Sequence, residues 1–529
     1  MLFNSFIFIL LFLPVALLGF FAASRFGRRT GAAWLMLASI VFYGAWNPRF
    51  VLLLIASIAF NFTMAEAIHA SADRPQRQKA ILIFAIACDL LVLTYYKYLA
   101  ALVGFADANG LLHIWLSPII LPLGISFFTF TQIGYLVDVQ QDVVEERGLS
   151  NYILFVTFFP HLIAGPILHN REIMPQFAKR ETYRFSIDNF TAGIVIFIIG
   201  LAKKCILADP LASYVQTGFA DPHLPLLPSW STMLCYQLQL YFDFSGYTDM
   251  AIGIARMFNV RFPVNFNSPL KAASIIDFWH RWHMTLSRFL NLYLFNPIAF
   301  AIVRNRIRRG LPVNKTAQKT PGGFAAMVAF PMLATMALAG VWHGAGLQYL
   351  VFGLLHGGYL TVNHAWRMLR PATEAKPSRL TVFGCVLLTF GCVLVALVFF
   401  RAPSLAGAGR MLASMAGLHG IGWPTFGSAN AAIADRMRAV PVNIGLAKKF
   451  SAEVTNVAVA AWVLMLCVIV WALPNTREIM EGAEPAAATA RRRLLAWRPT
   501  LGWATVMGAM AAFALLAVTG TSEFLYYQF

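Results

Sequence analysis

The sequence predicts an all-α integral membrane protein that crosses the bilayer many times. The chain has 529 residues, of which 59% are hydrophobic and 12% charged, whereas a soluble chain is roughly 45–50% apolar and about 25% charged. Apolar runs close to the length of a spanning helix, about 20 residues, recur along the whole chain, and basic clusters lie between them. We predict a single membrane domain over residues 1–529 with about 11–13 membrane segments, some of them re-entrant or interfacial.

The candidate spans follow from those apolar runs in chain order. They are 2–22, 32–46, 50–68, 80–105, 115–138, 187–208, 231–257, 324–342, 346–365, 380–400, 457–474 and 501–519. Two more apolar runs, 151–169 and 285–300, are interrupted by helix-breaking residues. Broken backbone is tolerated at membrane depth only where protein or a watery cavity covers it, so we expect both runs to be re-entrant or interfacial.

The basic residues predict the orientation of the chain. The N-terminal run lacks the basic region of a signal peptide, so it is kept as the first span. Arginines follow it directly, whereas residues 205–255 contain no Lys or Arg. By the positive-inside rule, the N-terminus then lies outside the cytoplasm, and counting spans forward places the C-terminus outside too. The loop 401–456 falls outside in this count although it is basic, but charge bias is a weaker guide in long loops.

Composition also excludes several function classes. The net charge of +18 comes largely from basic clusters between spans, which suits contact with anionic membrane lipid and indicates no nucleic-acid partner. The six cysteines form no CxxC motif and no Cys/His metal spacing. We therefore predict no metal and no bound cofactor. Ionisable residues inside apolar segments are costly and point to functional sites, and three stretches contain them.

The first stretch is "YFDFSGYTDMAIGIARMF", residues 241–258. It places Asp243 and Asp249 in one predicted span. Such acidic residues can belong to a polar network that fixes neighbouring helices, line a substrate cavity, or relay protons in a transporter. The residues alone leave these alternatives open.

The second stretch is "DFWHRWHMTLSRFL", residues 277–290. If 274–290 is one helix, Asp277 and Arg281 form an i,i+4 pair, and His283 lies three residues after His280. Zinc helices usually carry His-x-x-x-His instead, and no third ligand is evident. An interfacial anchor helix with snorkelling arginines accounts for Arg281 and Arg288 but poorly for His283.

The third stretch is "MALAGVWHGAGLQYLVFGLLHGGYLTVNHAW", residues 336–366. His343 lies between Trp342 and Gly344 in a strongly apolar region. A histidine in such a place is often a packing residue. It is also well suited to act as a general base, and both interpretations remain open at this level.

Several motifs taken together resemble the membrane-bound O-acyltransferase (MBOAT) family, in the bacterial branch that includes alginate O-acetylase. They lie in the family's order over about 120–405 and read "LPLGISFFTFTQIGYLVDV" (121–139), "FFPHLIAGPI" (158–167), "YFDFSGYTDMAIGIARMF" (241–258), "FPVNFNSPL" (262–270), "FWHRWHMTLSRFL" (278–290), "LAGVWHGAGLQYLVFGLLHG" (338–357) and "VFFRAPS" (398–404). The C-terminal helix and tail, 501–529, end in "FLYYQF", which is similar to the F-x-Y-x-x-F ending of this branch.

The resemblance implies the MBOAT fold and two catalytic histidines. His343 corresponds to the invariant histidine of the "WHG" motif, and His283 to the histidine of "RWH". His280 stands where relatives usually carry arginine, and together with Arg281 and Arg288 it is expected to shape the cytoplasmic mouth. The remaining residues that the resemblance assigns to the substrate tunnel or to orientation are Asp243, Asn267, Trp282 and Trp342.

Two departures from the branch lie beside these residues. Val264 stands where the branch is expected to carry glutamate, and "NLYLFNPI" (291–298) replaces its usual "RDYLYIPL". These changes bear on donor and acceptor identity, and they leave His343 and His283 untouched.

The implied reaction moves an acyl group, most simply acetyl, from a cytoplasmic thioester to an extracytoplasmic polysaccharide such as alginate. The expected donor is acetyl-CoA or another acyl thioester, drawn electrostatically toward basic loops including 304–319. His343 would act as general base on an acceptor hydroxyl, and His283 would position or polarise the donor. The implied location is the bacterial inner membrane.

The tail supplies a candidate acyl carrier. Tyr526 matches the tyrosine of F-x-Y-x-x-F, and a phenoxide leaves more easily than an alkoxide. The alternative is that the terminal aromatic residues form an interfacial belt. A carrier would need a separate periplasmic partner, expected to be an SGNH-type acetyltransferase with a serine nucleophile. Two other classes stay open, a transporter and a non-catalytic scaffold of a polysaccharide export complex.

Overall fold

The computed structural model describes residues 1–111, 113, 116–163, 165–370, 377–423, 452–481, 495–518 and 525. Side chains of 452–459 and 481 are not included in the description. This part of the chain is helical and contains no β-strand. Its residues form two compact units, one from the described residues of 1–201 and 246–264, the other from the described residues of 202–245 and 265–525.

The first unit is built mainly from the N-terminal helices. Its α-helices are Leu13–Ser24, Arg28–Gly44, Arg49–His69, Pro75–Lys97, Leu99–Ala108, Ile125–Gln140, Leu149–Thr157, Phe159–Leu162, Asn170–Ala178 and nearly all of Ile187–Ala202. A π-helical turn, Ile7–Phe12, precedes the first of them, and a 3₁₀ turn spans Arg180–Tyr183. The final part of the long helix Leu226–Met257 also belongs to this unit.

The second unit contains the first part of Leu226–Met257 and most of the later helices. Its other α-helices are Ala212–Ala220, Ile275–Trp279, Met284–Leu290, Asn296–Arg308, Lys315–Lys319, Pro321–Phe324, Phe330–His343, Leu347–Leu369, Arg379–Arg401, Leu405–Met415, Ala452–Ala472, Thr476–Glu481 and Leu501–Leu516. Short π and 3₁₀ turns join several of them, at Lys203–Ala208, Asp209–Leu211, Pro269–Lys271, Asn291–Phe295 and Ala325–Ala329.

The all-α membrane class predicted from the sequence is confirmed. Among the described residues, seven helices are long and apolar enough to cross a membrane: Ile7–Ser24, Arg49–His69, Pro75–Lys97, Ile187–Ala220, Met284–Arg308, Pro321–His343 and Arg379–Arg401. Each of the other predicted spans also coincides with a helix. The 115–138 prediction began too early, because the helix starts only after Gly124, whose φ of 69° is left-handed and readily adopted by glycine.

The two interrupted runs behave differently from each other. Residues 151–169 are broken as expected, since Phe158 leaves the helical region with ψ of 108°. The run 285–300 was expected to be broken as well, but Met284–Arg308 forms one continuous helical element. A π turn at Asn291–Phe295 ends two residues before Pro297, and such a wide turn accommodates the missing N–H and the bulk of the proline ring.

Two glycines allow two helices of the second unit to pack closely. A Cβ atom on Gly340 would meet the carbonyl oxygen of Tyr349, and one on Gly353 would meet the carbonyl oxygen of Met336. The helices Phe330–His343 and Leu347–Leu369 therefore approach each other backbone to backbone, as small residues permit between membrane helices. This crossing fixes the end of the first helix, where His343 lies.

Candidate active site

His343 is the last residue of its helix and lies in an aromatic box. The helix ends there because Gly344 adopts an extended conformation, with φ of −173°. The residue is 6% exposed, and the centroid of its imidazole ring lies 4.8 Å from that of Trp342, 6.0 Å from that of Phe352 and 5.1 Å from that of Phe400. The surroundings are thus apolar on several sides.

His283 lies in a turn and not in the continuous helix 274–290 considered from the sequence. One short helix ends at Trp279 and the next begins at Met284, and His283 between them has left-handed φ and ψ of 42° and 53°. This conformation is strained for a residue other than glycine, and strained residues often cluster at functional sites. The i,i+4 pair expected within the first helix is present, with 2.7 Å between Asp277 Oδ1 and Arg281 Nε.

Pairing with a neighbouring loop interrupts that helix. The N–H of Asn267 donates to the carbonyl of Arg281, and the N–H of Met284 donates to the carbonyl of Asn265, both at 2.9 Å. These bonds hold the turn against the 265–267 segment. The carbonyl of Arg281 and the N–H of Met284 are therefore paired with this segment instead of with other groups of a continuous helix. His280 is left exposed and His283 buried.

Asn265, which sequence reasoning did not single out, orients His283. Its Oδ1 accepts from the N–H of Thr285 at 3.2 Å and from the Thr285 hydroxyl at 2.8 Å, and it lies 3.1 Å from His283 Nδ1. The backbone N–H of Thr285 can only donate, so the Asn265 side-chain atom that it contacts is the amide oxygen and not the amide nitrogen. Because that oxygen can only accept, Nδ1 of His283 must carry the proton of their hydrogen bond. In the neutral ring, Nε2 then holds the lone pair. Asn265 is fully buried.

His356 is a third buried histidine that the sequence analysis did not select. It is 1% exposed, and its Nδ1 lies 3.3 Å from Nε1 of Trp279. An indole N–H can only donate, so Nδ1 of His356 is the acceptor and Nε2 carries the proton of the neutral ring. His356 and His283 therefore present opposite tautomers. The available sequence signal was the second "HG" pair, at 356–357.

Aromatic rings join the three histidines into one buried wall within the second unit. The successive centroid distances are 6.0 Å for His343–Phe352, 4.7 Å for Phe352–His356, 6.2 Å for His356–Phe278, 5.7 Å for Phe278–Trp282, 6.3 Å for Trp282–Phe244 and 4.8 Å for Phe244–His283. The wall thus brings together His343, His283 and Trp282, three of the predicted site residues. Its main polar atoms are the ring nitrogens.

Asp243 belongs to a separate buried ion cluster in the same unit. Its Oδ1 lies 2.6 Å from Nζ of Lys204, which also lies 2.8 Å from Oδ1 of Asp209. Oδ2 of Asp243 accepts a 3.1 Å hydrogen bond from the N–H of Leu525. All three side chains of the cluster are at most 8% exposed. Lys204 was hidden within a predicted span and was not selected from the sequence.

Asn267 links the site loop to the C-terminal helices. Its Oδ1 accepts a 3.0 Å hydrogen bond from the amide of Asn475, whose amide nitrogen also lies 2.9 Å from Ser268 Oγ. Trp471 reinforces the link through an indole bond to the carbonyl of Leu270. Tyr526 lies outside the described residues. Within the described residues, no group of three His, Cys, Asp or Glu side chains is placed to hold a metal ion.

Comparison with known proteins decides the family. The model of the membrane-bound O-acyltransferase family matches residues 139–311. The chain is 38% identical over 450 residues to a peptidoglycan O-acetyltransferase of Helicobacter pylori, covering 80% of this chain and 81% of that protein. The chain belongs to the MBOAT family. It is therefore a membrane-bound O-acyltransferase.

The names of other relatives specify different acceptors. The chain is 36% identical over 420 residues to a probable alginate O-acetylase of Pseudomonas aeruginosa, covering 78% of this chain and 75% of the relative. It is 30% identical over 271 residues to a teichoic acid D-alanyltransferase of Bacillus subtilis, covering 51% and 65%. The matched family region 139–311 includes Asp243, Asn265 and His283, whereas His343 and His356 lie beyond it. The catalytic roles of the individual residues remain predictions.

Proposed function

We propose that this enzyme transfers an acetyl group from a cytoplasmic thioester, acetyl-CoA, across the inner membrane for O-acetylation of an extracytoplasmic polysaccharide. The observation that carries the proposal is the aromatic wall, which joins a histidine at a helix end to a strained, buried histidine in one unit. The acetyl group is favoured because the two longest alignments quoted above are with O-acetyltransferases of peptidoglycan and alginate.

His343 is proposed as the general base. It takes the proton from an acceptor hydroxyl, whose oxygen attacks the thioester carbonyl; the C–O bond forms and the C–S bond breaks. The thiolate of the donor leaves and takes up the proton. General-base catalysis of this kind contributes about 10²–10⁴-fold, and an apolar box limits competing hydrolysis by water.

His283 is proposed to position the donor. With Nδ1 committed to Asn265, its Nε2 can accept a hydrogen bond from the donor thioester's pantetheine arm or from the acceptor hydroxyl. The left-handed backbone and the surrounding hydrogen bonds hold this orientation before substrate binds, which lowers the entropy cost of alignment.

The acceptor on this protein is proposed to be the phenol of Tyr526, which would carry the acetyl group to a periplasmic SGNH-type partner. The N–H of Leu525, the residue before it, donates to Asp243 in the second unit, and this contact supports the proposal. The partner's serine would then take the acetyl group from the aryl ester, restore the phenol, and pass the group to the polysaccharide.

Both termini are proposed to be extracytoplasmic, in keeping with the positive-inside count. Alkaline-phosphatase and fluorescent-protein fusions at residue 1 and residue 529 test this orientation. Active phosphatase at both ends is expected, and a fluorescent cytoplasmic fusion at either end would overturn it.

The decisive experiment incubates the purified protein with radiolabelled acetyl-CoA and locates label by peptide mass spectrometry. We expect label on Tyr526 in the wild type and none in His343→Ala. His69→Ala is the matched control, because that histidine is exposed and lies outside the candidate site, and it should retain labelling. Polymer acetylation with added partner but without label on Tyr526 would keep the acyltransferase and overturn the carrier.

A scaffold or transporter predicts a different result. Either would show no acetyl transfer to the tail or the polymer, and a scaffold would tolerate His343→Ala in a polysaccharide acetylation assay in cells. A transporter would instead accumulate substrate without acylation.

A further inference from the structure

Asp243 contacts the C-terminal segment of the chain. Its two carboxylate oxygens have different partners: Oδ1 lies 2.6 Å from Nζ of Lys204, and Oδ2 accepts a 3.1 Å hydrogen bond from the N–H of Leu525, 282 residues away. The Leu525 side chain is partly buried and packs against the hydrophobic core of the same unit. A backbone bond and an apolar contact therefore both hold this residue.

The charges of the cluster explain why Asp243 needs a further hydrogen-bond donor, the N–H of Leu525. One ammonium, that of Lys204, is shared between the carboxylates of Asp209 and Asp243. Asp243 is only 1% exposed, and its carboxylate needs donors for both oxygens, because an unpaired buried charge is costly. The N–H of Leu525 supplies the donor for Oδ2. Hydrogen bonds to an ionised acceptor are stronger than neutral ones.

The position of the lysine depends on a local irregularity of its helix. Lys203–Ala208 forms a π turn, and consecutive lysines in it take different partners: Lys203 donates to the hydroxyl of Thr476, whereas Lys204 pairs with the buried acids. π turns change the helical register within one turn and recur at functional sites.

We propose that Asp243, oriented by Lys204, is a positioning residue that anchors the chain at Leu525 and so presents the next residue in sequence, Tyr526, for acyl transfer. The anchoring of Leu525 by Asp243 does not depend on the proposed acyl transfer. Only the last step, presentation of Tyr526, rests on the proposed function.

Hydrogen exchange at the Leu525 amide tests the anchor directly. In detergent, exchange in Asp243→Ala is expected to be at least about tenfold faster than in the wild type, because the bond to a charged acceptor is lost. Asp209→Ala is the matched control, since it also removes a carboxylate partner of Lys204 but leaves the acceptor of Leu525. Unchanged exchange in Asp243→Ala, or equal acceleration in both variants, would overturn the anchor.

A second pair of variants changes Leu525 and leaves the charged side chains of Lys204, Asp209 and Asp243 in place. Leu525→Pro removes the N–H donor, whereas Leu525→Ala keeps it and loses only side-chain contact. With radiolabelled acetyl-CoA, the fraction of label on Tyr526 should fall at least about tenfold in Leu525→Pro relative to Leu525→Ala. Equal labelling would refute presentation by this bond. A wild type without label on the tail would refute the carrier step, while the exchange data would still decide the anchor.

Discussion

Replacing Asn265 by alanine should damage catalysis through His283 and not merely loosen the fold. The Asn265 oxygen serves three donors, the N–H and hydroxyl of Thr285 and Nδ1 of His283. A typical hydrogen bond contributes about 0.5–1.5 kcal/mol net. At about 1 kcal/mol for each bond, the loss of all three predicts a destabilisation of about 3 kcal/mol.

The catalytic part of the effect follows from the tautomer. Without the acceptor, His283 loses the hydrogen bond to Asn265 that favours the proton on Nδ1. A loss of about 0.5–1.5 kcal/mol corresponds to about a two- to thirteenfold fall in the population of the required ring state. We expect kcat/KM per folded molecule to fall by at least that factor, and more if the ring also rotates.

Thr285→Val is the matched control, because it removes one donor to the same oxygen and leaves the contact with His283 in place. It should cost about 1 kcal/mol of stability and leave kcat/KM unchanged. The assay measures thioester consumption at several acetyl-CoA concentrations, normalised to folded protein from thermal unfolding in detergent. Equal kcat/KM in Asn265→Ala and Thr285→Val would refute the orienting role.

Three further predictions test the packing around the site. Trp279→Phe should cost about 1 kcal/mol through loss of the donor to His356, and a double-mutant cycle with His356→Phe should give a coupling of about that size; zero coupling in thermal unfolding would contradict the bond. Gly353→Ala should destabilise by about 1–3 kcal/mol through overpacking against the carbonyl of Met336, which a melting temperature equal to that of the wild type would disprove. Lys204→Met should cost about 3–5 kcal/mol, because two buried carboxylates lose their shared cation; recovery of a stable, monodisperse protein in normal yield would count against the cluster.

The location of the helices could be predicted well from the sequence, whereas their ends could not. Hydrophobicity is a local property of the chain, and each span predicted from an apolar run coincides with a helix. Boundaries depended on single backbone conformations, such as the left-handed Gly124 and the extended Gly344. Pro297 suggested a broken segment, but a π turn accommodates it within a continuous helix.

The candidate site was predictable only where a motif carried it. The motifs selected His343 and His283, and the i,i+4 spacing gave the pair of Asp277 and Arg281. Asn265 and His356 were missed because their importance lies in partners 18–20 and 77 residues away. Sequence spacing gives no indication of such pairs.

By itself, the sequence determined that this protein is a helical membrane enzyme of the MBOAT family, since composition and ordered motifs are properties of the linear chain. The tertiary structure alone decided which nitrogen of His283 is protonated, which acids share Lys204, and where Leu525 is held. The physical reason is that buried hydrogen bonds and ion pairs depend on which groups meet when water is excluded, and groups far apart in sequence are brought together only by folding.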